Sequence, residues 1–194
     1  MLLHQPTEAE VRAFLAAQSK LSFSYPEVGA TRAPSNPPAG YPINHYRGKL
    51  GTGAEDYRKA LTALRSWRMY SLSWTKLYWP ETEIKEGAVV AILAKHFGLW
   101  WLNACRVIYA FADDDGSHRS GFAFGTLPGH VETGEERFMV EWDDESDEVF
   151  YELLAFARPK LLIAKMAHPL LRSAQRRFAQ DSFAAMKRSV NQKD

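Results

Sequence analysis

The chain has 194 residues, a formal net charge of +1, 46% apolar and 13% aromatic residues, and one cysteine. That length and apolar content suit one packed domain, 1–194, and argue against disorder, while the near-zero charge gives no whole-molecule pull toward nucleic acid or an anionic membrane. The lone Cys105 excludes an internal disulfide and any cysteine-pair metal site, and neither a secretory leader nor a run of about 18 apolar residues is evident, so a cytoplasmic protein is expected.

Thr7 and Glu10 have capping-box spacing, and Val11, Phe14 and Leu15 follow on one helical face, so an amphipathic helix within 1–20 opens the chain. Leu21 to Tyr25 reads as extended. Pro26, Gly29, Pro34, Pro37, Pro38, Gly40 and Pro42 then hold off regular structure until Ile43. A loop this long is commonly functional, and it offers Tyr25, Glu27, Thr31 and Arg32 as polar groups. Ile43 to Leu50 forms a strand. Thr52 and Glu55 repeat the capping-box spacing, and Tyr57, Ala60, Leu61, Leu64 and Trp67 mark a second helix. Met69 to Trp79 alternates with period two and stops at Pro80, which predicts a strand.

Five further strands are predicted at 88–97, 99–112, 119–126, 136–142 and 149–157, with Asp115-Gly116 a hairpin signal and the acidic run 143–148 another break. Simple alternation along 99–112 puts Trp101, Asn103, Cys105, Val107, Tyr109 and Phe111 on one face and Arg106 on the other. In 136–142, Phe138, Val140 and Trp142 share a face. Pro159 suits the first turn of a long C-terminal helix over 158–190, broken near Pro169, with Leu170, Leu171, Ala174, Phe178, Phe183 and Met186 inward. From Arg158 onward the chain carries nine Lys or Arg against two Asp, and the acidic segment 132–152 is placed to neutralise them. The expected fold class is α+β, a curved antiparallel meander sheet gripping the long C-terminal helix.

Six blocks carry a resemblance: LSFSYPEVGATR at 21–32, PAGY at 38–41, LGTGAEDY at 50–57, CRVIYAF at 105–111, GFAFGTLPGHVETGEERF at 121–138 and AFARPKLLIAKMAHPLLRSAQRRF at 155–178. In these the chain resembles an uncharacterised domain-of-unknown-function family of bacterial and plant proteins. The family commonly has Tyr where Phe124 stands and Pro where Val131 stands. The long final helix and the meander look START-like, a helix-grip architecture whose members bind apolar ligands or use the cavity for chemistry, which bears on fold more than on function.

The densest polar stretch is 121–138. His130 with Glu132, Glu135 and Glu136 supplies an imidazole and carboxylates for acid-base catalysis, with His130, Glu132 and Glu135 the candidate catalytic set; the same residues also read as a glycine-shaped hairpin with solvated charges. A metal would need His45, His96 or His118 in addition, with no established ligand spacing, and no metal site or cofactor is assigned. Cys105 in mid-strand reads as an inert buried thiol more readily than as a nucleophile, and GTLPGHVETG lacks the ending of a phosphate loop. Trp74, Trp79, Trp100, Trp101 and Trp142 could line a cavity or fill a core, and the basic helix face of Arg172, Arg176 and Arg177 reads as solvated. The leading expectation is a protein that binds a small apolar or amphipathic molecule in a sheet-helix cavity, with Tyr25, Glu27, Arg32, Arg106 and His130 at its mouth. An acid-base enzyme and a protein-interaction module acting through the basic helix and the Pro-rich loop are the alternatives. Nucleic acid is not an expected partner.

Overall fold

The alternating runs in the second half of the chain pair in the order in which the chain makes them. A computed structural model of the protein describes residues 2–33, 35–96, 98–112, 116–160 and 168–192. Strands β2 (Thr75–Tyr78), β3 (Val89–His96), β4 (Leu99–Phe111), β5 (Arg119–Thr126), β6 (Glu132–Asp143) and β7 (Glu148–Pro159) form an antiparallel meander, and β1 (Ile43–Thr52) joins the outer side of β7. The seven-stranded sheet curls into a half-barrel. Helices α2 (Gly53–Arg65) and α3 (His168–Asn191) fill the concave side, whereas α1 (Glu8–Gln18) packs against β3 and β4 through the opposite face, where Val11 meets Tyr78, Ala91 and Leu93.

The main core lies between the concave face and the two helices. Val90, Ile92, Cys105, Val107, Phe122, Phe124, Phe138, Val140, Tyr151 and Leu153 come from the sheet, and Tyr57, Ala60 and Leu64 come from α2. From α3, Ala179, Ser182, Ala185, Met186 and Val190 are buried, so the helix seats close to the strands through small side chains. Trp67 is 1% exposed, and its left-handed backbone (φ 54°) stops α2.

Several boundaries differ from the sequence expectation. The segment 69–79 begins with a 3₁₀ turn, Arg68–Tyr70, bonded back to Trp67, and only Thr75–Tyr78 is strand. The capping box is made at Thr7 and Glu10 but not at Thr52, whose amide donates instead to Asp56 Oδ2 at 2.9 Å. β6 starts at Glu132, and β7 carries on to Pro159, which pairs with Glu132, so no helix begins at Pro159. Residues 161–167 lie outside the described residues, and Pro169 stands in the first described turn of α3, which runs unbroken to Asn191. Asp115 also lies outside the described residues, although β4 and β5 pair as the hairpin signal requires. A bulge between Val107 and Tyr109 adds a residue to β4, and a one-residue insertion reverses every later side chain. Tyr109 and Phe111 therefore leave the face of Cys105 and Val107: the Tyr109 hydroxyl meets Thr31, and Phe111 lies over Gly121.

The Trp set is divided likewise. Trp79 and Trp100 pack under α1, Trp74 meets His96 at a tilt and Phe178 edge-on, and Trp142 lies against Tyr57. Among the described residues, the acidic segment makes no ion pair with α3. Glu141 pairs with Arg119 on the neighbouring β5 and with Arg47 on β1, beyond β7, and Glu152 pairs with Arg137 and His45 on the strands to either side.

Tyr151 and Ser182, each fully buried, bond hydroxyl to hydroxyl at 2.6 Å and join β7 to α3. Ser182→Ala strands the phenol, and we expect a loss of about 1–3 kcal/mol in urea unfolding, larger than the loss in the double variant Tyr151→Phe/Ser182→Ala, which removes both polar groups.

Candidate functional site

The β5–β6 hairpin places two adjacent glutamates in opposite environments. Along β6, Glu132, Gly134, Glu136, Phe138, Val140 and Trp142 share the concave parity, and Thr133, Glu135, Arg137, Met139 and Glu141 the convex one.

On the convex side Glu135 is 2% exposed and accepts hydrogen bonds from the Tyr25 hydroxyl at 2.8 Å, the Gly29 amide at 2.7 Å, the Thr31 amide at 2.9 Å and the Thr31 hydroxyl. Its charge is thereby matched by four directed donors, the condition under which a buried carboxylate is tolerated. The phenol of Tyr25 is pushed far above its ordinary range by burial and then by the Glu135 charge. Glycines make the approach feasible. A Cβ at 125 would meet the Tyr25 ring and hydroxyl, and at 134, where φ is +151°, it would meet the Phe156 carbonyl.

Around this anchor stand the other predicted mouth residues. Glu27 accepts from the Tyr41 hydroxyl at 2.9 Å, Arg32 lies over the Tyr109 ring at 3.9 Å, and Arg106 donates to the Ser19 and Leu21 carbonyls at 2.7 and 2.9 Å. Tyr25, Glu27, Arg32, Arg106 and Glu135 are thus brought together, but on the outer face of the sheet, across it from the helix-filled groove.

His130 occupies the turn between β5 and β6. Its Nδ1 accepts the Glu132 amide at 2.9 Å, and the turn is held by Gln18 to the Gly129 amide at 2.6 Å, Asn103 to the Val131 amide at 3.2 Å and the Lys160 ammonium to the Pro128 carbonyl. Burial, helped by the nearby Lys160 charge, lowers the imidazole to about 4, so it is neutral at neutral pH and a weak base. His45, His96 and His118 are occupied apart from it, beside Glu152, Trp74 and Asp144 respectively. The Cys105 thiol is fully buried, and burial followed by the Glu136 and Glu132 charges drives its pKa well above the usual thiol value, which keeps it protonated.

The concave side carries the less satisfied acids. Glu132 Oε1 accepts from Gln175 Nε2 of α3 at 2.7 Å, and the Gln175 carbonyl accepts from Asn44 Nδ2 of β1 at 3.4 Å. Glu136 has only the Tyr70 hydroxyl, at 3.5 Å. Neither has a cationic partner among the described residues. Burial raises both carboxyls. Glu136 reaches about 8, with the Glu132 charge adding to the burial effect. Both keep some accessible surface despite lying between sheet and helix, as do Tyr46, Phe178 and Phe183.

Glu136, Tyr70 and Gln175 were not distinguishable as a site from motif reading. The available signal was parity, because Glu136 shares its face with Phe138, Val140 and Trp142, and an acid on a core face is the anomaly to look for.

Residues 24–185 match the model of a domain of unknown function, DUF1990, and the chain belongs to that family. It is 31% identical to a UPF0548 protein of Dictyostelium discoideum over 96% of this chain and 94% of that one, and 36% identical to a UPF0548 protein of Deinococcus radiodurans over 92% of each. A UPF0548 protein of Arabidopsis thaliana is 32% identical over 78% of this chain and 75% of its own. Among solved structures, the Zhui aromatase/cyclase from Streptomyces sp. R1128 superposes with a TM-score of 0.54 at 10% identity, covering 77% of this chain and 93% of its own. A hypothetical protein from Helicobacter pylori superposes with a TM-score of 0.52 at 14% identity, covering 85% and 94%. These likenesses establish the helix-grip, START-like fold.

The two glutamates predict different variants. Glu135→Gln exchanges a charged acceptor for a neutral one with a misplaced donor, and we expect a loss of roughly 2–4 kcal/mol, with hydrogen-exchange protection of the Gly29 and Thr31 amides lost first. Glu136 behaves in the opposite way. Its folded pKa of about 8 lies above the unfolded value of about 4.3, so the folded state retains a proton across that window. The stability this supplies is complete below the window and declines as pH rises through it. Glu136→Gln should therefore be nearly neutral at about pH 4.5 and stabilising, on the order of 3 kcal/mol, at about pH 8.5, as read by urea unfolding at the two pH values.

Proposed function

We propose that this protein binds a small apolar or amphipathic molecule in the groove between the concave face and α3, with Glu136 as the principal polar contact. The observation that carries this reading is Glu136 itself, a carboxyl among aromatic rings with one long hydrogen bond and no counter-charge among the described residues. A group left in that state raises the free energy of the empty protein, and a ligand that hydrogen-bonds it lowers that free energy. The surroundings of Glu136 are apolar: Phe124 stands directly opposite it on β5, Ala155 opposite it on β7, and Tyr70, Phe138 and Phe178 form a contacting set with ring centroids 5.2–6.5 Å apart.

Tyr70 also forms part of a solvent-open hollow of about 480 Å³, bordered by Trp67, Arg68, Lys76, Leu77 and Pro80. This ring is the shared wall between that hollow and Glu136. In the proposal, His130 and Glu132 contribute at the hairpin end of the groove, and Tyr25, Glu27, Arg32 and Arg106 act through the stability of the outer loop.

A second reading, proton transfer on the bound molecule, is favoured by one feature: a carboxyl near 8 in apolar surroundings changes protonation close to neutrality. In that reading Glu136 takes the acid-base role, His130 is too weakly basic to lead, and Glu135 is committed to its four donors.

The test is a thermal-shift and native mass-spectrometry screen with lipids, isoprenoids and aromatic compounds. We expect at least one class to raise Tm by several degrees at about 100 times its Kd. Tyr70→Ala and Phe138→Ala should weaken its binding at least tenfold. A screen that produces neither shift nor bound mass overturns the proposal.

A further inference from the structure

Strand β2 forms one edge of the sheet, and residues of an antiparallel pair alternate between bonding the partner strand and facing away from it. The Lys95 amide donates to the Trp74 carbonyl at 2.9 Å, and Lys76 and Tyr78 share that phase against β3, so the amide and carbonyl of Leu77 point to the open side. At Thr75 the same edge is closed, because its amide donates to the Leu72 carbonyl at 3.4 Å and its hydroxyl to the Tyr70 carbonyl at 2.9 Å. Beyond β2, Trp67 Nε1 donates to the Thr82 carbonyl at 2.9 Å and draws the end of α2 against the following turn. The hollow of about 480 Å³ that Leu77 borders lies between these two contacts. A gap tied across in this way suits a small molecule and not an added strand, and its volume falls within the range of small-ligand sites.

Both sides of the hollow turn on strained backbone. Trp67 on one side (φ 54°) and Trp79, next to Pro80 on the other (φ 58°), stand in the left-handed region that bulky residues rarely adopt, a strain that concentrates where a ligand is held. The polar groups on the border are mostly donors. Arg68 is exposed and makes no side-chain hydrogen bond or ion pair among the described residues, nor do the hydroxyls of Ser66 and Ser71. The Lys76 ammonium lies 4.5 Å from the Tyr78 ring centroid and pairs with no acid among them. The Leu77 carbonyl and Glu81 are the acceptors that face this set, so the described border carries a net positive charge. Behind Arg68 the charge continues, since Ser66 and Arg68 also border a second hollow, of about 430 Å³, that holds Arg58 and the Lys59–Glu55 pair.

We propose that this hollow is a second binding site, for a small organic anion, with a carboxylate or phosphate head held by the Arg68 guanidinium and the Leu77 amide and an apolar body against Tyr70, Leu77 and Pro80. Guanidinium and backbone amide are the donors that bind such oxygens most strongly, and here neither has an acceptor among the described residues. An alcohol leaves Arg68 without a counter-charge, and an ammonium ion is repelled by it. The inference does not rest on the concave-groove reading: the hollow lies on the other side of Tyr70 from Glu136, and its border has the opposite sign of charge.

Isothermal titration of the full chain with benzoate, phenyl phosphate, benzyl alcohol and benzylammonium tests the charge class. We expect at least one anion to bind about tenfold or more tightly than the alcohol, with benzylammonium weakest, and the ratio of the two anions to identify the preferred head. Arg68→Gln should lower anion affinity about tenfold or more and leave alcohol binding within about twofold, whereas Arg188→Gln, at an exposed arginine outside this hollow, should leave both within about twofold. Glu136→Gln, across Tyr70, should also leave anion affinity within about twofold. By hydrogen exchange, the Leu77 amide should exchange faster than those of Lys76 and Tyr78 in the free protein and slow about tenfold or more with the anion at saturation. If neither anion binds more tightly than benzyl alcohol, if Arg68→Gln changes nothing, or if the Leu77 amide is unaffected, the proposal is overturned whatever the lipid and isoprenoid screen gives. Loss of anion binding in Glu136→Gln but not in Arg68→Gln overturns it too, and moves the anion to the concave groove.

Discussion

The pleat of β6 is the constraint on which the rest of the structure depends. Glu135 and Glu136 are consecutive, and period-two alternation sends one through the convex face into four donors and the other through the concave face into aromatic rings. The Glu135 donors come from residues 104 to 110 positions earlier, so a single carboxylate closes a long stretch of chain back on the sheet. A one-residue slip of β6 would exchange the two environments, leaving the Tyr25, Gly29 and Thr31 donors without their acceptor. Polar satisfaction on one side therefore fixes register as firmly as apolar burial does on the other.

The same comparison explains why the concave side stands out. Proteins usually neutralise a buried acid with a nearby arginine, and this sheet has the arginines, but cross-strand pairing commits them to the opposite face. Tyr70, Tyr151 and Cys105 cannot compensate, because a phenol or a thiol is never cationic, and burial holds all three in the neutral, protonated form. Among the described residues, the groove relieves its electrostatic cost through a proton on Glu136. Local violations of the usual rules, surrounded by strands that obey them, are where function tends to be built.

Much of the fold was legible because strand period and turn chemistry act locally. The meander, the β4–β5 and β5–β6 hairpins and the N-terminal capping box all follow from neighbouring residues. What escaped depends on contacts that no window contains. The bulge after Val107 turns Tyr109 outward, where Thr31 receives it, and nothing in RVIYAF announces the extra residue. Tyr25, Glu27 and Arg32 were legible as a polar cluster, but which face the loop would cover was not, since that depends on Glu135 more than a hundred residues later. Glu136 was legible in principle from parity with Phe138, yet in sequence it is only one acid among several in the hairpin.

The two faces are mechanically linked even though their chemistry is separate. The turn that leads into Glu132 is held by Gln18 of α1, by Asn103 of β4 and by Lys160 beyond β7, while Thr133, on the convex face, donates to the Ser24 carbonyl at 2.8 Å. Each restraint reduces the freedom of the hairpin backbone without touching the groove. Glu132 and Glu136 are consequently carried on the same face of a strand whose position is set from outside. The outer loop, which offers the most conspicuous polar sequence in the chain, thus bears on the concave side only through the strand: by anchoring Glu135 it fixes where Glu136 must stand.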